Sequence, residues 1–355
     1  TEAIYRRSRK AVVYDYDVRR NYVKPLSDAP GKVMIPTFSP DGRMVAYVKD
    51  NNIWIRKFDY DTEVQVTKDG ERNKVMYGIT DWVYEEEFAV TNLMAWSPDS
   101  EYLAFVRFDE SQVPEYSMQM YSGNGLYPTY YNYKYPKAGE KNSTVTVHSY
   151  SVATKDTKAL QVPAEGDLYI PRITFTKHSD QLAIMTLNRQ QNLFNMYYAN
   201  PKSGVFRLIL HEQNKCYVDS DWLKSIHFVD NGFTYVSEQD GYSHIYFYSP
   251  TGVMQRQITQ VNCLTQRIPL NRIHPARMPV LLLRHPIRRR TPIRPQIQTP
   301  AISKTVGRVE NRPISRSQNN PPGTRKTPRS FPSNPDISLS CSTATMLLSC
   351  PPIPA

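Results

Sequence analysis

The sequence is poor in cysteine: four in 355 residues, with Cys216 the only one before residue 263. A single thiol cannot staple a fold, and no Cys-x-x-Cys or Cys/His spacing of a zinc site occurs. A disulfide framework and a structural metal are therefore both excluded as organising devices, and no cofactor is called for. Long apolar runs are missing too, so no segment is long enough to cross a bilayer as a helix. The chain starts at Thr1, not at Met, and is expected to continue a longer product; no signal segment is visible. Also lacking is any Gly-x-Ser-x-Gly, the strand-to-helix elbow that exposes a serine nucleophile. Gly241-Tyr242-Ser243-His244-Ile245 lacks the second glycine and reads as strand. No catalytic residue is assigned.

Acidic residues are absent from one region almost entirely. From Cys263 onward there are 15 Lys and Arg against Glu310 and Asp336 alone, whereas the preceding residues hold 29 basic and 31 acidic side chains. The overall charge of +11 therefore comes from residues 263–355, and a nucleic-acid reading of the whole chain loses its basis. That stretch has no Tyr or Trp, holds 16 of the 28 prolines, and shows neither strand nor helix period. Proline at this density interrupts ladders and helices, so no packed core is expected there. Two readings fit, a disordered basic tail and a stretch translated out of frame. The second is favoured by a family resemblance, set out below, that stops abruptly near Val261.

What the first 262 residues do have is a repeat of strand, turn, strand. Ile35 to Val48 joins two strands through Ser39-Pro40-Asp41-Gly42, where proline presets φ and glycine takes the left-handed position. Asn51 to Phe58 supplies the next strand, with Ile53 and Ile55 alternating against Trp54 and Arg56. Leu93 to Val106 repeats the unit through Ser97-Pro98-Asp99-Ser100, Ile173 to Met185 is a degraded copy, and Ile226 to Val236 is a fourth. Repeats of about 40–60 residues built from short antiparallel strands indicate an all-β fold of propeller blades. The Tyr-rich segment from Tyr116 to Tyr135 reads as a blade-linking excursion packed by its own aromatics, and Asn142-Ser143-Thr144 fits a glycosylation sequon.

One stretch departs from the strand pattern, Gly78-Ile79-Thr80-Asp81-Trp82-Val83-Tyr84-Glu85-Glu86-Glu87-Phe88. On a helical turn adjacent side chains diverge by about 100°, so two neighbouring glutamates can bend toward one point. Asp81 suits the cap, and acids in the first turn suit the helix dipole. The residues alone leave two readings open: a solvated acidic turn, or a carboxylate pair suited to a primary ammonium with its three donors.

The stretch resembles the double-glutamate motif of the dipeptidyl peptidase IV family, in the prolyl oligopeptidase class of serine peptidases, and the resemblance extends over roughly residues 4 to 262. It implies a partial β-propeller over residues 1–262, about four to five blades of the family's eight, with a short helical insertion carrying the motif. It also implies that Glu86 and Glu87 hold the substrate's free α-amino group while Glu85 does not clamp. An Arg-x-Ser-aromatic-x-Ala context aligns with Arg6-Arg7-Ser8-Arg9-Lys10-Ala11, which gives Arg6 the role of holding a substrate backbone carbonyl; Arg9 departs from the aromatic. With no nucleophile elbow, the expectation is substrate recognition without bond cleavage, from a fragment of an exopeptidase that releases X-Pro or X-Ala dipeptides. The alternative is a non-catalytic propeller that binds peptide N-termini or protein partners. Expected partners are peptides with a free N-terminus and no nucleic acid. The family implies homodimers and a periplasmic or extracellular setting, and an open ring of blades is expected to self-associate.

Overall fold

The computed structural model describes residues 1–260 except 19, 122–124 and 165. Residues 261–355, and the readings made of that basic stretch, lie outside the described residues. The chain opens with two short hairpins, β1 (Glu2–Ala3) with β2 (Arg9–Lys10) and β3 (Tyr14–Asp17) with β4 (Tyr22–Pro25). A four-stranded antiparallel sheet follows in sequence order: β5 (Met34–Phe38), β6 (Met44–Lys49), β7 (Asn52–Lys57) and β8 (Thr62–Gln65). β9 (Val75–Tyr77) then leads into helix α1 (Trp82–Glu87). The second sheet begins with β10 (Met94–Trp96) and β11 (Tyr102–Asp109), and a hairpin of β12 (Glu115–Met120) and β13 (Thr129–Lys134) interrupts it. It resumes with β14 (Thr144–Ser151) and β15 (Thr157–Leu160), while β9 adds to β11. The third sheet is β16 (Leu168–Phe175), β17 (Leu182–Asn188), β18 (Leu193–Ala199) and β19 (Phe206–Gln213). The fourth is β20 (His227–Val229), β21 (Gly232–Ser237), β22 (His244–Tyr248) and β23 (Met254–Gln257).

These mostly-β, sequence-ordered antiparallel sheets are consistent with propeller blades, and the recurring turn explains why the unit repeats. In Ser39-Pro40-Asp41-Gly42 the Gly42 amide donates to the Ser39 carbonyl at 2.9 Å, with Gly42 at φ +71°. The Ser39 hydroxyl donates to Asp41 at 2.6 Å, and the Arg43 and Met44 amides donate back to those two side chains. Ser97-Pro98-Asp99-Ser100 reproduces the arrangement with Ser100 at φ +63°, a left-handed position without the glycine that favours it. The turns also meet one another: the Asp41 amide donates to the Ser100 hydroxyl, and the Asp99 amide to the Ser179 hydroxyl. The first three sheets are thus stitched together turn to turn.

The core lies between sheets, and the inner strands β6, β11 and β17 are buried on both faces, so consecutive side chains are shielded along them. Ile53, Ile55, Phe105, Ile184 and Phe233 are completely shielded. Arg56, on the strand face opposite Ile55, is only 2 % exposed. Asp28 from the loop after β4 pairs with the guanidinium at 2.6 Å, and Asp61 pairs with it as well. The Tyr-rich segment differs from expectation. Because β11 and β14 are hydrogen-bonded neighbours, the β12–β13 hairpin leaves and re-enters a single sheet and does not link two. Its rings do pack on one another, with Tyr133 5.7–6.2 Å from Tyr131, Tyr116 and Tyr135.

Candidate functional site

Helix α1 starts where the sequence says it should. The Asp81 carboxylate accepts from the Tyr84 amide at 2.9 Å as N-cap, and its other oxygen accepts from the Ser143 hydroxyl at 2.6 Å. Burial holds the Asp81 carboxyl above the usual carboxylate range despite those hydrogen bonds. Tyr84 anchors the turn from below. It is 2 % exposed, packs edge-on to Phe88, Phe108 and Tyr169, and its hydroxyl accepts from the Ile170 amide of β16 at 2.8 Å. Trp82 stacks edge-on at 4.4 Å against Tyr135, just beyond the β12–β13 hairpin.

This anchoring fixes the directions of the three glutamates. Glu85 turns inward and is 1 % exposed, Glu86 is half-buried, and Glu87 is exposed. Glu87 makes no hydrogen bond or ion pair among the described residues. Only Glu85 falls in the first turn; Glu86 and Glu87 close the helix, where the dipole is negative. The expectation that the dipole supports these acids holds for Glu85 and fails for the other two. A cation supplied from elsewhere compensates instead.

That cation is Arg6. It sits in the loop between β1 and β2, and its guanidinium meets Glu86 Oε1 at 2.9 Å. Arg6 is 71 % exposed and Glu86 24 %, so the pair is solvent-screened and worth about 1 kcal/mol or less. A ligand can displace it cheaply. The structure therefore brings Arg6 and Glu86 together and sets Glu87 at the next helical position, open to solvent. Arg9, the departure from the aromatic, lies exposed in β2 opposite Ala3 and leaves the hairpin intact.

Several supporting residues escaped the sequence reading. Glu85 Oε1 accepts from the backbone amides of Arg7 and Ser8, the latter at 2.8 Å. The Tyr131 hydroxyl donates to the Ile4 carbonyl at 3.0 Å, so the β12–β13 hairpin props the loop carrying Arg6. Behind that loop lies a cavity of about 380 Å³ lined in part by Tyr5, Ser8, Thr80, Glu110 and Tyr131. Glu110 is 1 % exposed and one of its oxygens has no hydrogen-bond partner among the described residues. Burial, with the nearby Asp81 charge, pushes its carboxyl up to about 8. The sequon is also put to structural use. The Asn142 amide donates to the Tyr169 hydroxyl at 2.7 Å and the Ser143 side chain is buried on Asp81, an arrangement that engages the acceptor nitrogen within the fold. Among the described residues no group of His, Cys, Asp and Glu side chains is placed to hold a metal ion.

Comparison with known proteins supplies the lineage. Residues 1–269 match the dipeptidyl peptidase IV (DPP IV) N-terminal region. The chain is 32 % identical over 277 residues to a probable dipeptidyl-aminopeptidase B of Aspergillus terreus, covering 70 % of this chain and 30 % of that protein. A probable dipeptidyl-aminopeptidase B of Talaromyces stipitatus is 31 % identical over 281 residues, 71 % of this chain and 31 % of that protein. Among solved structures, Porphyromonas gingivalis dipeptidyl peptidase 4 superposes with a TM-score of 0.72 at 65 % identity, over 74 % of this chain and 37 % of that one. A putative dipeptidyl aminopeptidase IV from Bacteroides ovatus shares the fold, with a TM-score of 0.58 at 24 % identity over 72 % and 38 % of the two chains. The chain spans about 30 % of the length of the curated relatives it matches.

Proposed function

The chain belongs to the dipeptidyl peptidase IV family by that family's N-terminal region, and on this premise we propose that it recognises the free amino terminus of a peptide substrate. We read its four sheets as blades of an eight-bladed ring, and the whole assembly as an exopeptidase releasing X-Pro or X-Ala dipeptides. No Gly-x-Ser-x-Gly occurs in the 355 residues, so recognition, not cleavage, is the part assigned to them.

The observation that carries this reading is the meeting of Arg6 and Glu86, 80 positions apart in sequence, on the open side of a turn that also exposes Glu87. Arg6 neutralises Glu86 through their ion pair. An incoming ammonium, with three N–H donors and no acceptor, replaces it as the partner of Glu86 and takes Glu87 as a second acceptor. Arg6 is then free to turn its guanidinium donors to the first backbone carbonyl of the peptide. Hydrogen bonds to charged groups contribute about 1.5–3 kcal/mol each, so two carboxylates select a free amino terminus by roughly a hundredfold or more. The amino group must be protonated to be held. Binding should therefore weaken as pH rises past about 8, the range in which an α-amino group loses its proton.

The test compares two tripeptides of Ala-Pro-Lys carrying a dye on the lysine, one with a free and one with an acetylated amino terminus. Fluorescence anisotropy with the 355-residue chain should register the free form as the tighter ligand. Equal affinity for both would return the acidic turn to a solvated surface feature.

A further inference from the structure

Resting on the reading of Arg6 and Glu86 as parts of one peptide site, we infer that Glu85 is a positioning residue that clips the Arg6 loop onto the clamp helix. The two halves of the site come from distant parts of the chain, and the Arg6 half is intrinsically weak. Its strands, β1 and β2, are two residues each, and among the described residues the loop between them keeps two hydrogen bonds of its own. These are the Ile4 amide to the Ser8 carbonyl at 3.0 Å and the Tyr5 amide to the Ser8 hydroxyl at 3.3 Å. A two-stranded hairpin of this size is marginal alone. Glu85 supplies what it lacks. One of its carboxylate oxygens receives the backbone amides of both Arg7 and Ser8, the two residues that follow Arg6.

Consecutive amides converging on one side-chain oxygen make a clip. It works through the backbone, so it orders the loop whatever side chains the loop carries. The arrangement explains why three acids stand in a row. The helical turn sends Glu85 inward to hold the Arg6 loop, while Glu86, one position on, meets the Arg6 guanidinium. Glu85 touches no ligand on this reading. It acts only through the position of Arg6.

A double-mutant cycle separates positioning from general support of the fold. In the unaltered chain, Arg6→Ala should weaken binding of the free-amine tripeptide about tenfold, the order expected for one lost charge-assisted hydrogen bond. Glu85→Ala should cost about as much, and adding Arg6→Ala to it should then cost little more, because an unclipped Arg6 no longer contributes. Glu85→Gln keeps an acceptor oxygen for the two amides and should keep most of the affinity and the Arg6 dependence. Hydrogen exchange adds a readout that does not depend on the ligand. In Glu85→Ala the amides of residues 6–10 should exchange at least tenfold faster, while those closing α1 keep their protection. Additive losses in the cycle, Glu85→Gln as impaired as Glu85→Ala, or deprotection of α1 together with the loop would each overturn the inference. If the unaltered chain shows no preference for the free amine, the clamp reading itself fails, and the exchange result alone still decides whether Glu85 orders the loop.

Discussion

Replacing Glu110 by glutamine should make the protein more stable at neutral pH and leave it nearly unchanged at acid pH. Glu110 follows β11, is 1 % exposed, and has one oxygen without a hydrogen-bond partner among the described residues. Burial and the Asp81 charge raise its carboxyl from the ordinary 4.5 to about 8, against the weaker pull of Lys134 and Arg72. A raised carboxyl means that the folded chain keeps a proton the unfolded chain has released. Stability is therefore fully present below about 4.5, falls as pH rises through the window up to about 8, and levels off above it. Each unit in that window is about 1.4 kcal/mol, so moving from about pH 5.5 to 7.5 removes on the order of 2–3 kcal/mol through this group. Glutamine has no proton to lose. Urea unfolding of both proteins at several pH values should show the variant gaining on the parent by that amount across the two units. His148, whose ring burial disfavours charging and acts in the opposite direction, is present in both chains and drops out of the difference, whereas the Asp81 charge enters it only through its coupling to Glu110. A stability gap independent of pH would refute the assignment of a buried, protonated Glu110.

Two further outcomes follow. Tyr84→Phe removes the acceptor of the buried Ile170 amide. It should cost about 1–3 kcal/mol in a urea melt, with the free-amine preference of the peptide site weakened because the helix loses its anchor to β16. The 355-residue chain should show no turnover of an X-Pro chromogenic dipeptide, since it contains no nucleophile elbow; activity that co-purifies with the chain and is blocked by a serine-directed phosphonate would contradict this.

The features legible in the sequence were those set by short-range chemistry. The Ser-Pro-Asp-Gly turn announces itself because proline, an Asp acceptor and a left-handed glycine act within four residues, and Ser39 to Gly42 folds as that chemistry dictates. The Asp81 cap and the helical turn behind Trp82 are equally local. Features that depend on distant partners were not legible. The burial of Arg56 comes with ion-pair partners, Asp28 and Asp61, that its strand pattern does not reveal. The Tyr-rich hairpin could be placed within one sheet only by knowing that Phe105 pairs with His148 across the interruption. Glu85 reads in the sequence as the acid that does not clamp, and its two amide partners lie 77 and 78 positions upstream. Spacing along the chain carried no trace of that contact. Three successive acids span about 200° of a helical turn, so one of them can face inward, and a buried carboxylate demands donors.

The central claim is that Glu86 and Glu87 hold a peptide ammonium, and the measurement that tests it most directly is the affinity ratio of free to acetylated Ala-Pro-Lys tripeptide. It should be compared between the unaltered chain and the Glu86→Gln, Glu87→Gln double variant. Glutamine keeps the shape and an acceptor oxygen but removes both charges. The account predicts a ratio on the order of a hundred that collapses toward one in the double variant, with the acetylated peptide's affinity little changed. A free-amine preference that survives the loss of both carboxylates would contradict it.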